Sequence, residues 1–150
     1  MKVNFILNDH PETWEVDQNE YLLDTLRAND ITSVRRGCDT TSCGVCTVLL
    51  DGNPVPSCSI LTVSVEGKQI LTVEGIKDSA ERLSVHMGHH GADQCGYCNP
   101  SLALTVYAMK QEIKHPTEQD ISEYLVGNLC RCTGYKGQEE AIKLYLEEDE

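Results

Sequence analysis

The chain is poor in basic residues, in large aromatics and in long apolar runs, and each shortage removes a class of protein. Twelve Lys and Arg against twenty-four Asp and Glu give a net charge of -12, the wrong sign for neutralising phosphates, so a nucleic-acid binder is excluded. No apolar stretch approaches the roughly 20 residues needed to cross a bilayer, which excludes insertion in a membrane. Met1 to Val16 alternates apolar with polar residues and has no continuous apolar core of a secretory leader, so the expected location is the cytoplasm. No P-loop, no usable G-x-G-x-x-G and no Ser/His/Asp set occurs. A single Trp and a single Phe point to small cores organised around something other than aromatic packing.

What the chain does have is eight cysteines in two sets of four, Cys38, Cys43, Cys46 and Cys58, then Cys95, Cys98, Cys130 and Cys132. In a reducing compartment an even cysteine count argues for metal or redox chemistry ahead of disulfides. The first set runs C-x4-C-x2-C with a fourth cysteine after eleven intervening residues, the spacing of a plant-type [2Fe-2S] site. The second, C-x2-C followed at a distance by C-x-C, matches no plant-type ferredoxin. By spacing alone a four-cysteine zinc site competes with an iron-sulfur cluster there.

At 150 residues the chain can hold one domain or two small ones, and two metal frameworks favour two. A cluster in each would supply the constraint that a small core lacks. The expected division is residues 1–76 and 77–150. In the first part, Val3, Phe5 and Leu7, then Trp14 and Val16, flank the turn sequence Asn8 to Pro11 and predict a β-hairpin. Leu22, Leu23 and Leu26 predict a helix from about Tyr21 to Asn29. Asp51-Gly52 between Thr47–Leu50 and Val55 predicts a second hairpin. Further strands are expected at Leu61 to Val65 and Gln69 to Val73.

After Ser79 the period becomes helical. Leu83, Met87 and His90 mark one helix, and Leu102, Val106, Met109 and Ile113 a second, with Asn99 as its cap and Pro100 at its first position. Thr117 and Asp120 form a capping-box pattern for a third helix that stops at Gly127. Ala141, Leu144 and Tyr145 mark a fourth after Gly137. The acidic end, Glu147 to Glu150, reads as a solvated tail.

Each cysteine set has glycines beside it, Gly37 and Gly44 in the first and Gly96 and Gly134 in the second, able to bring backbone N–H groups close to an anionic cluster. Cys98 immediately precedes a helix start, where unpaired N–H groups favour an anion. Residues two apart point away from each other on a helix, so Cys130 and Cys132 are expected from a helix end or turn. His86, His89 and His90 are read as partly exposed or interface histidines, not as a further metal site.

Three stretches together resemble one family: Gly37-Cys38 through Asp51-Gly52, Gln94-Cys95-Gly96-Tyr97-Cys98, and Gly127-Asn128-Leu129-Cys130-Arg131-Cys132-Thr133-Gly134-Tyr135. They look like the iron-sulfur subunit of molybdenum hydroxylases, the xanthine dehydrogenase family. The resemblance spans about Val3 to Ile142 and settles the second set as a [2Fe-2S] site. It implies an α+β chain, with an N-terminal β-grasp, plant-ferredoxin-like domain followed by an all-α four-helix [2Fe-2S] domain. It implies partners as well: a large molybdopterin-binding subunit and a medium FAD-binding subunit in a hetero-oligomer, this chain being a separate small subunit with no substrate site of its own. Electrons would pass from the molybdopterin cofactor through the helical-domain cluster and then the ferredoxin-like cluster to FAD. By the same resemblance Gln94 and Cys132 would lie close to the pterin, and the cluster of Cys38, Cys43, Cys46 and Cys58 would face the flavin.

Asn99-Pro100-Ser101 and the loop Asp39-Thr40-Thr41-Ser42 depart from the family's usual residues without removing a ligand, and they leave the substrate open. Xanthine, another purine or an N-heterocycle is the leading expectation. An aldehyde or carbon monoxide dehydrogenase subunit and a free-standing two-cluster ferredoxin are the alternatives.

Overall fold

The computed structural model describes residues 1–148; of the acidic tail, Asp149 and Glu150 lie outside the described residues. Strands β1 (Lys2–Leu7) and β2 (His10–Glu15) pair antiparallel across a two-residue turn in which Asn8 and Asp9 both take positive φ, the backbone that matches the twist of a hairpin. β1 alternates, burying Val3, Phe5 and Leu7, and the Phe5 ring meets Trp14 edge-on with centroids 4.8 Å apart. Helix α1 (Leu22–Ala28) lays Leu22, Leu23 and Leu26 on the same core. Strands β3 (Thr47–Leu50) and β4 (Asn53–Pro56) form the second hairpin around Asp51 and Gly52, and β5 (Gln69–Leu71) lies between β1 and β3.

The sheet order is β2-β1-β5-β3-β4, with β1 and β5 parallel and the other neighbours antiparallel. Both edge strands carry proline, Pro11 on β2 and Pro54 and Pro56 on β4, which blunts the edges against further pairing.

The strand expected at Leu61 to Val65 is instead a 3₁₀ turn over Thr62–Val65, and Val73–Ile76 is another, so the following strand stops at Leu71. The reason lies in Thr62. Its hydroxyl is fully buried, 2.7 Å from that of Thr25 and donating to the Glu20 carbonyl, and those bonds outweigh the strand propensity of a β-branched run. Leu61 keeps only an isolated bridge to Tyr21.

Four helices follow: α2 (Lys77–His89), α3 (Asn99–Glu112), α4 (Glu118–Tyr124) and α5 (Lys136–Glu147). The cap of α3 falls on Cys98, one residue before the expected Asn99, whose side chain donates to Asp93 instead. The capping box of α4 forms as expected, with Thr117 accepting from the Asp120 amide and the Asp120 carboxylate accepting from the Thr117 amide. α5 starts at Lys136, earlier than expected, and Leu144 lies on its exposed side. None of the described helices is long and apolar enough to cross a membrane.

Two buried clusters result. Val48 joins the core under α1, while its neighbour Leu49 points through the sheet into the helical core with Leu102, Val106 and Met109. β3 is therefore buried on both faces, and α3 covers the side of the sheet opposite α1.

Candidate metal centres

The first cysteine loop leaves the core after Val34 and returns at β3. Its shape is held by short contacts: the Thr47 hydroxyl donates to the Gly44 carbonyl at 2.6 Å, and the buried Ser57 hydroxyl donates to the Cys46 carbonyl at 2.7 Å. The second bond ties the loop to the 3₁₀ turn Ser57–Ser59 that carries Cys58. Within the set the thiols meet in pairs, Cys38 with Cys43 and Cys46 with Cys58. Amides of Cys43, Ser42 and Thr40 converge on the Cys38 sulfur and bring its pKa down to about 6. Burial pushes Cys43 up, and Cys46 up to about 11. One sulfur is thus already in an anion cradle, while two are buried where a thiolate needs a cation.

The second set is assembled from two places. Cys95 and Cys98 bracket the turn before α3, while Cys130 and Cys132 lie in the irregular stretch between the Leu125–Gly127 turn and α5. Again the thiols pair, Cys98 with Cys130 and Cys95 with Cys132. The two pairs differ in environment. Cys95 and Cys132 are exposed, together with Gln94 and Arg131, whereas Cys130 is buried and Cys98 half-buried.

Burial and the neighbouring Cys130 push Cys98 up to about 11. Burial also works against the Cys130 thiolate, but the Thr133 hydroxyl at 3.1 Å and the amides of Thr133 and Cys132 win, leaving it lowered. Cys132 is raised by hydrogen bonding with Cys95 and by its charge. The Tyr135 hydroxyl accepts from the Cys130 amide at 2.8 Å. From the first turn of α5 the fully buried Gln138 directs its Nε2 to the Cys98 sulfur at 3.9 Å.

The two loops touch. The Leu129 amide donates to the Cys43 carbonyl at 2.9 Å. Gly44, at φ +69°, packs so close that a Cβ there would sit 1.9 Å from the Gly127 carbonyl oxygen. On the other side Arg35 donates to the Gly96 carbonyl at 2.6 Å and stacks 5.0 Å over the Tyr97 ring, whose hydroxyl donates to the Arg36 carbonyl at 2.8 Å.

Among the described residues no three His, Cys, Asp or Glu side chains crowd around a single point as one metal ion would require. Four thiols brought together in each set would instead suit a [2Fe-2S] cluster, which four thiolates would hold and which would supply a one-electron centre. A second observation agrees. Among the described residues the Asn128 amide nitrogen and the Ser33 hydroxyl are buried with no hydrogen-bond partner. An orphaned donor costs about 1–3 kcal/mol, and an anionic cluster beside the Gly127 to Cys130 stretch would offer Asn128 its acceptors. Of the clustered histidines, His86 pairs with Glu148 at 2.7 Å and His90 bonds the His86 carbonyl.

Sequence reasoning missed Gln138, Arg35 and the asymmetry of the second set. Only Gln138 left a trace in the sequence, as the one polar residue in the otherwise apolar stripe of Ala141, Ile142 and Tyr145.

This is an iron-sulfur protein of two [2Fe-2S] domains: residues 5–72 match the family described as "2Fe-2S iron-sulfur cluster binding domain" and residues 72–143 the one described as "[2Fe-2S] binding domain". The chain is 36% identical to the nicotinate dehydrogenase small FeS subunit of Eubacterium barkeri, covering 97% of this chain and 94% of that one. It is 42% identical to the xanthine dehydrogenase iron-sulfur-binding subunit of Escherichia coli O157:H7 over 77% of this chain and 75% of that one. Among solved structures, a chain of quinoline 2-oxidoreductase from Pseudomonas putida 86 superposes with a TM-score of 0.89 at 36% identity, covering 95% of this chain and 90% of that one. The chain belongs to the iron-sulfur subunits of the xanthine dehydrogenase family.

Proposed function

We propose that this chain is the electron-transfer subunit of a cytoplasmic molybdenum hydroxylase, with residues 1–76 and 77–150 as its two cluster domains. Cys38 with Cys43, and Cys46 with Cys58, hold one [2Fe-2S] cluster; Cys95 with Cys132, and Cys98 with Cys130, hold the other. Each cluster, when bound, supplies a centre that takes up and gives back one electron. The chain's own residues do the rest. Backbone amides and the Thr133 hydroxyl bond the sulfurs, buried neighbours exclude water from Cys43, Cys46 and Cys130, and the Leu129–Cys43 hydrogen bond joins the two ligand loops by one short backbone step.

The exposed side of the second set, with Gln94 and Cys132, is the face proposed for a large molybdopterin-binding subunit. The first set is proposed to face a medium FAD-binding subunit, so that electrons enter at the helical domain and leave from the sheet domain. Relatives named for nicotinate and quinoline favour an N-heterocycle or purine as the substrate of the assembled enzyme, bound on the large chain.

The observation that carries this reading is the pairing of eight thiols into two sets whose loops share a hydrogen bond. Purification of the native protein tests it. Elution with two larger chains, together with two distinct [2Fe-2S] EPR signals after reduction, is the expected result. Migration alone at 16.7 kDa with both clusters loaded would instead make the chain a free-standing carrier, and zinc without acid-labile sulfide would overturn the cluster assignment.

A further inference from the structure

Gln138 sits where stability gives no reason for a polar side chain. It is 1% exposed, on the face of α5 that also buries Ala141, Ile142 and Tyr145, where a leucine of similar volume would pack. Burying an amide in such a place costs about 1–3 kcal/mol unless it is bonded. Its Nε2 donates to the sulfur of Cys98.

The approach is set by the fold. Gly137 lets the start of α5 press on the end of α2, and a Cβ there would stand 2.8 Å from the His90 carbonyl oxygen. That contact carries Gln138 to the inner thiols of the second set, half-buried Cys98 and buried Cys130, whereas the outer pair of Cys95 and Cys132 faces solvent.

We propose that Gln138 is a positioning residue that sets the reduction potential of the helical-domain cluster, through an N–H···S bond to Cys98. The inference rests on the cluster assignment proposed above. A reduced [2Fe-2S] core carries one more negative charge than an oxidised one. A donor aimed at a ligand sulfur therefore stabilises the reduced form more and raises the potential. In a half-buried site, where water solvates that charge poorly, the effect is larger than at the exposed pair. Gln138 thereby biases a shared electron toward the helical-domain cluster.

The test is an EPR-monitored redox titration of the intact chain with both clusters loaded, comparing wild type with Gln138→Leu and with Gln138→Met, which keeps an unbranched side chain of similar length. The reduced-to-oxidised ratio of the helical-domain cluster at a fixed ambient potential is expected to fall about tenfold in both variants, equivalent to about 59 mV for a one-electron couple. The cluster held by Cys38, Cys43, Cys46 and Cys58 should titrate unchanged, serving as the internal reference. A change below about twofold in variants with full iron content would overturn the proposal, as would failure of both variants to load iron, which would make Gln138 a purely structural residue. If reduced wild type lacked two [2Fe-2S] signals, the cluster assignment itself would fall.

Discussion

At the scale of single residues the tightest demand falls on Gly44. Its positive φ and the 1.9 Å separation that a Cβ would have from the Gly127 carbonyl oxygen leave no room for a side chain, and the obstacle is backbone, which cannot rotate away. Gly44→Ala should therefore push the two cysteine loops apart and break the Leu129–Cys43 bond. We expect a loss of more than about 1 kcal/mol in urea unfolding, from strain at positive φ alone, together with slower electron exchange between clusters after flash reduction. Unchanged stability would show that the loops do not pack this way. The two cysteine sets could be picked out in the sequence because their spacing is local. Gln138 could not, because its meaning depends on a helix face turned toward a thiol forty residues away in the chain.

At the scale of elements, α4 is the shortest helix of the bundle and leans on its cap. Seven residues are too few to be stable on their own, and Thr117 with Asp120 satisfies two of the amides left free at its start. Thr117→Ala should cost about 1 kcal/mol, read as a lower midpoint in urea, while iron content stays at the wild-type level because none of the eight thiols lies on α4. Loss of iron in that variant would show that α4 supports the cysteine loops directly. The capping pair, both hairpin turns and all four helices of the second half could be anticipated from local chemistry. The segment from Thr62 to Val65 could not, since its conformation follows from a hydroxyl bond to Thr25, a partner on another element. Leu49 is a similar case: alternation identifies the strand, but not that α3 lies over its second face.

At the scale of the whole molecule, the hydrophobic cores and the cysteine loops are separable. Phe5, Leu22 and Val48 form one core and Met87, Val106 and Ile142 the other, and none of these contacts needs iron. The cysteine loops, in contrast, have little regular structure, and they bury the thiols of Cys43, Cys46 and Cys130, whose charged form is costly there unless it is paired. Removal of iron under reducing, chelating conditions should leave amide hydrogen exchange slow in β1 and α3 and make it faster from Gly37 to Cys46 and from Gly127 to Thr133, with the Leu129 amide as the reporter of the loop contact. Global exchange of the whole chain would mean that the clusters hold the cores as well. The contact between Gly44 and Gly127 also bears on how the chain is made. All four thiols of the first set leave the ribosome before any of the second, yet their loop packs against Gly127 and Leu129, which are synthesised later still than Cys95 and Cys98. A nascent chain released short of Leu129 would carry a complete first ligand set with one side of its loop still open to water.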